Sequence, residues 1–173
     1  MPAIQLTSKR NQRDFAWPIA SLLDEDEPTW SRIREAVAAS AADPAPVYLV
    51  GGEPTLRRDC GALLAQLGAG FPERELVLLT NGRSFFYERV CDALPPVDAA
   101  RLAVEVWITS TRRDVHEATV SVSESLDQAD RGIRQLLARG RRTRVRLLVG
   151  RQNHTTLPEA AAQLPTAIRR PSA

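Results

Sequence analysis

Short apolar runs separated by segments of helical periodicity limit what this chain can fold into more than any other feature. Such alternation points to βα units and a parallel sheet. Strands are expected over residues 3–7, 47–50, 75–80, 102–109 and 143–149, and helices over 29–42, 56–67, 84–94, 124–138 and 157–164. The punctuation agrees. Pro44 and Pro46 precede the second strand, Gly68 and Gly70 close the second helix, and Gly140 stands just past the fourth, where a left-handed cap is expected. Five βα units in this order make an open, partial barrel with two free sheet edges, and exposed edges invite pairing with another chain.

The 173 residues suit one domain with a sizeable core, because a chain of about 150 residues buries roughly 70% of its unfolded surface. That domain is expected over residues 1–165, with a frayed tail over 166–173. The formal net charge is +2, and Lys9 is the only lysine. Arginine is spread along the chain, which argues against a nucleic-acid footprint. Its one dense run, Arg139 to Arg146, falls at a helix end and strand start, where cations complement the helix dipole. The sequence has no apolar stretch of 18 residues and no charged-then-apolar leader, so neither a membrane span nor a secretory signal is supported and a cytoplasmic location is expected. Cys60 and Cys91 fall in expected helices without metal-like spacing and read as buried free thiols. His116 and His154 lack the neighbours of a zinc site or a nucleophile and are expected on the surface or in turns. No P-loop or G-x-S-x-G motif is present.

Gly51-Gly52-Glu53-Pro54 follows the second strand directly. Glycines let a backbone approach a ligand closely, and a carboxylate at a barrel mouth complements an ammonium. The same residues also make a tight βα turn with Glu53 in the first turn of a helix, favoured by its dipole. Further along come Leu76-Val77-Leu78-Leu79-Thr80-Asn81-Gly82, the stretch around His116, Ser125 to Leu137 with Gly132-Ile133, and Leu148-Val149-Gly150-Arg151-Gln152-Asn153. In this order and spacing these segments resemble the radical S-adenosylmethionine family, from about Leu6 to Leu164.

The resemblance implies a partial (β/α) barrel in which Gly51, Gly52, Glu53, Pro54, Asn81, Trp107, Arg146 and Arg151 stand at cofactor-contacting positions, Glu53 facing the methionine amino group. It also exposes a departure. The family holds a four-iron, four-sulfur cluster with cysteines at C-x3-C-x2-C spacing, and the matching positions here are Arg10, Asp14 and Trp17. A guanidinium and an indole N–H cannot ligate iron, and one carboxylate beside an obligate cation is no cluster site. No iron-sulfur cluster and no other metal is expected.

Two more departures fall on the inner face. Period-2 alternation places Glu105 and Trp107 on one face of the fourth strand, and Arg146 shares a face with Arg144 and Leu148 on the fifth. Glu105 and Arg146 are expected to pair, either as structural filling or with Arg146 free to take a ligand carboxylate or phosphate through its planar fork. Trp107, where relatives carry a small Ser, either plugs the cavity or stacks on an adenine.

Without a cluster there is no electron to cleave a sulfonium. The resemblance then implies a non-catalytic binding or accessory protein, serving a partner enzyme or peptide in a biosynthetic pathway or pairing as a homodimer through the open edges. The alternative is a repurposed enzyme that keeps S-adenosylmethionine, or a related nucleotide-like small molecule, and performs polar chemistry with Glu53, Asp14 or Glu105 as base or electrostatic stabiliser. Anaerobic reconstitution with iron and sulfide is expected to leave no stoichiometric cluster; a cubane seen by Mössbauer spectroscopy would refute that expectation.

Overall fold

The strands β1 (Ala3–Thr7), β2 (Val47–Gly51), β3 (Leu76–Thr80), β4 (Leu102–Ile108) and β5 (Thr143–Leu147) lie side by side in chain order, all parallel, in one sheet. This computed structural model describes residues 1–13, 26–95 and 101–164. Helices α1 (Trp30–Ala39), α2 (Cys60–Gly70), α3 (Glu88–Asp92), α4 (Arg113–Val120), α5 (Ser125–Ala138) and α6 (Leu157–Gln163) complete a partial α/β barrel. Among the described residues no helix is long and apolar enough to cross a membrane.

Alternation along the strands divides the core into two layers. Val47 and Leu49, Leu76 and Leu78, and Val104 and Val106 point outward, where they meet Ile33 and Val37 of α1, Leu63, Leu64 and Leu67 of α2, and Ile133 and Leu136 of α5. Tyr48 and Val50, Val77 and Leu79, and Ala103 and Trp107 point inward and pack with Val120 from the end of α4. Strands buried on both faces read as continuous apolar runs, as β2 and β3 do.

Caps and turns explain the boundaries. The Thr29 hydroxyl accepts from Arg32 N–H at 3.4 Å and starts α1. At the end of α5, Gly140 at φ +67 lets Arg141 N–H reach the Leu136 carbonyl and Gly140 N–H reach that of Leu137, a Schellman closure.

Three departures from the expected elements have physical causes. Helix α2 begins at Cys60 rather than residue 56, because Arg57 is extended at ψ 124 and turns its buried guanidinium inward. That guanidinium donates to the carbonyls of Leu6 at 2.9 Å and Pro28 at 2.8 Å and pairs with Asp59, joining β1, the entry to α1 and the start of α2. Where one helix was expected over 84–94, a 3₁₀ turn at Arg83–Phe86 precedes the short α3. The tight turn drives Phe85 fully under α5, and Gly132 makes the approach possible, since a Cβ there would meet the Gly82 carbonyl and the Phe85 Cβ.

Helix α4 was not expected at all, and with it comes a correction to the surface or turn placement of His116. Its sequence carries β-branched Val115, Thr119 and Val120, poor intrinsic helix formers, so packing rather than propensity holds it. His116 is buried, and its Nδ1 accepts from Thr109 N–H at 3.2 Å. Burial, helped by the Arg83 charge, pushes its pKa down to about 4. His154 is exposed, in a 3₁₀ turn at His154–Thr156.

An unfolded histidine titrates near 6.5, so between there and about 4 the unfolded chain binds the extra proton and folding stability falls as pH drops. Denaturant melts at pH 7 and pH 5 are expected to show a loss of about 2 kcal/mol from this group. His116→Gln should remove that part of the loss; an unchanged pH dependence in the variant would assign the acid sensitivity elsewhere.

Candidate functional site

Strand β2 ends in Gly51, and the next residues turn across the carboxyl ends of β1 and β3. Glu53 therefore meets Asn81, and the loop after β1 lies against the same turn. Gly52 N–H donates to the Thr7 carbonyl at 2.9 Å and Glu53 N–H to that of Lys9 at 2.7 Å. A Cβ at position 52 would fall on the Lys9 carbonyl and the Arg10 side chain. The second glycine is thus required for close passage of the chain's own backbone.

Glu53 is fully buried. Its Oε1 accepts from the Thr55 N–H at 3.1 Å, the Thr55 hydroxyl at 2.6 Å and the Thr80 hydroxyl at 2.6 Å, and its Oε2 from Asn81 N–H at 2.8 Å. Burial pushes the carboxyl above its ordinary range, while these donors oppose the shift. Pro54, also buried, opens the 3₁₀ turn Pro54–Leu56, and the Glu53 side chain caps that turn. The dipole reading of Glu53 thus becomes a cap on a turn rather than on a long helix. An ammonium has no exposed carboxylate oxygen to meet here.

Asn81 extends the same network. Its Nδ2 donates to Asn11 Oδ1 at 2.7 Å, and its Oδ1 accepts from Arg83 N–H at 3.1 Å. Arg83 donates to the Asn11 carbonyl and to Gln128 Oε1. The β1 exit loop is fastened to the turn after β3 and to α5 by these groups. Neither Asn11, Thr55 nor Thr80 is among the site residues expected from sequence, although Thr80 belongs to the Thr80-Asn81-Gly82 motif. The two threonines flank the glutamate motif and the Asn-Gly turn, a legible signal; Asn11 gave none, since its partners lie some 70 residues away.

On the inner face Glu105 and Arg146 are joined, as the strand alternation predicts, through Glu105 Oε1 and Arg146 Nε. Arg146 also reaches Tyr48 across the sheet, donating to its hydroxyl at 3.2 Å with the guanidinium 5.4 Å from the ring centre. Trp107 stands beside Arg146 in the β4–β5 register, is 7% exposed, and packs into the inner apolar cluster. Arg151 lies apart, exposed in the turn after β5.

Of the three positions that the resemblance sets against the cluster cysteines, only the first is described. Arg10 is exposed and cationic, while Asp14 and Trp17 lie outside the described residues. Among the described residues no group of three His, Cys, Asp or Glu side chains stands where it could hold a metal ion. Cys60 and Cys91 are buried, and burial pushes the Cys60 thiol up to about 12, far from a ready thiolate.

No protein-family model matches the chain, and no curated protein matches it in sequence. Solved structures do share its fold. SuiB of Streptococcus suis, bound to S-adenosylmethionine, superposes with a TM-score of 0.69 at 13% identity over 92% of this chain and 36% of its own; SuiB bound to its precursor peptide SuiA gives 0.67. The anSMEcpe structure with bound AdoMet gives 0.60 at 12% identity over 92% of this chain and 47% of that one. TYW1 with a lysine-pyruvate adduct gives 0.56 at 15% identity over 87% and 56%. The fold is therefore that of radical S-adenosylmethionine enzymes, and the chain spans between about one third and somewhat over half of these proteins' lengths.

Glu53→Gln tests the carboxylate network at constant volume. An amide NH₂ must then face groups that donate, so the variant is expected to lose on the order of 2 kcal/mol in denaturant unfolding. A loss within a few tenths of a kcal/mol would show that the network does not hold the strand ends.

Proposed function

We propose that this protein is a cluster-less relative of the radical S-adenosylmethionine fold that binds a partner enzyme or peptide instead of performing radical chemistry. The observation that carries the reading is the state of Glu53. The residue that the resemblance assigns to the cofactor's amino group is fully enclosed, with donors from its own chain on both oxygens. Displacing those donors to admit an ammonium would leave buried hydroxyl and amide groups unpaired, at roughly 1–3 kcal/mol each.

Other features support it. The β1 exit loop occupies the space beside Gly52. Trp107, Tyr48 and the Glu105–Arg146 pair fill the inner face, which favours plugging over adenine stacking for Trp107 and filling over ligand capture for Arg146. Arg10, Asp14 and Trp17 supply no thiolate. Of the two ligands seen with SuiB, the peptide is the one carried over to this chain.

Calorimetric titration with S-adenosylmethionine is expected to give no saturable binding up to millimolar concentration. Saturable binding by the wild type that Glu53→Gln abolishes would restore the cofactor site, overturn the accessory reading and open the way to polar sulfonium chemistry.

A further inference from the structure

Strand β5 is the outermost strand on one side of the described sheet, and among the described residues no strand pairs with its outer edge. Leu148 N–H donates to the Ile108 carbonyl and the Arg142 carbonyl accepts from Val104 N–H, so the even-numbered peptide groups face β4. Backbone alternation then turns the N–H and C=O of Thr143, Val145 and Leu147 away from the sheet. Among the described residues nothing bonds to these groups. All five β5 residues are only half-buried, whereas β3 and β4 are buried throughout.

The side chains along this edge indicate what would cover it. Val145 sits partly buried against the outer apolar layer, and Leu147 shares its face. Arg142, Arg144 and Arg146 share the inner face at alternate positions. Arg142 and Arg144 both reach the same oxygen, Glu75 Oε1, at 3.0 and 2.9 Å, and Arg146 pairs with Glu105. Three guanidiniums thus share two carboxylates, and Arg142, the least satisfied, is 41% exposed. The edge retains positive charge beside open backbone groups. A second copy pairing β5 with β5 would set arginine against arginine, an unfavourable cross-strand arrangement.

We propose that β5 receives an extended acidic segment of a partner polypeptide as a sixth strand, with apolar residues beside Val145 and Leu147 and carboxylates at the alternate positions facing Arg142 and Arg144, the two guanidiniums that divide the Glu75 carboxylate. Main-chain bonds to Thr143, Val145 and Leu147 supply the affinity, and the arginine column supplies register and choice of partner. This names the partner chemistry for the function proposed above and rests on that reading.

Amide hydrogen exchange of the full chain tests it, with a short synthetic peptide of alternating valine and glutamate as probe and its valine-lysine counterpart as control. The glutamate peptide is expected to slow exchange at Val145 and Leu147 by about tenfold or more, with the effect weakening as salt rises. The lysine peptide is expected to do nothing. Val145→Pro removes one outward N–H without touching the β4 ladder and should abolish the slowing at Leu147. Arg142→Gln, which leaves the backbone alone, should weaken the glutamate peptide selectively. No slowing with the glutamate peptide, or equal slowing with both, overturns the proposal; protection that grows with protein concentration in the absence of peptide gives the edge to a second copy and also overturns it. Cofactor titration reads a different set of atoms, so saturable S-adenosylmethionine binding alongside intact edge protection would strike the accessory reading and not the edge.

Discussion

The carboxylate of Glu53 is the interaction on which the carboxyl end of this barrel depends. Parallel strands finish with backbone groups that no neighbour satisfies, and here one buried side chain collects donors from the turn after β2 and from the end of β3. A charge so far from water is tolerable only when its hydrogen bonds are made. Thr55, Thr80 and Asn81 are therefore parts of one unit with it, and the turn Asn81-Gly82 is placed by that unit. Asn11 and Arg83 then carry the constraint to the loop after β1 and to α5.

That arrangement changes what the two glycines do. The resemblance gives them to a ligand, and the backbone of residues 7–9 also comes so close to Gly51 and Gly52 that a methyl group at either would strike it. The inner face tells a similar story. Tyr48 and Trp107 supply apolar bulk, and Arg146 neutralises Glu105 while bridging to Tyr48. A cation and an anion that meet in this way satisfy each other and leave little charge for a visitor. The arginines nearer the strand edge differ, because Arg142 and Arg144 must divide a single carboxylate.

Much of the framework was legible beforehand, and for one reason. Strands covered on both sides cannot hide their apolar runs, so β2 to β4 declared themselves, and period-2 alternation put Glu105, Trp107 and Arg146 on a common face. What stayed hidden depended on distant partners. Arg57 looked like any surface arginine until its guanidinium met carbonyls from β1 and the entry to α1. Helix α4 lacked a strong intrinsic preference, and His116 became internal only because α4 packs it beside Thr109. Asp14 and Trp17, central to the motif argument, lie outside the described residues.

By itself the amino-acid order determined the succession of the five strands, the glycine and proline breaks between them, and a thiol inventory of two cysteines, both in expected helices. These follow from local periodicity and side-chain chemistry, which act over a few residues. Only the tertiary structure decided that Glu53 is enclosed, that the β1 exit loop lies on Gly52, and that the outer groups of β5 meet no partner among the described residues. Each of those outcomes depends on segments far apart in the chain meeting within hydrogen-bond distance, or failing to meet, and no local pattern encodes such an encounter.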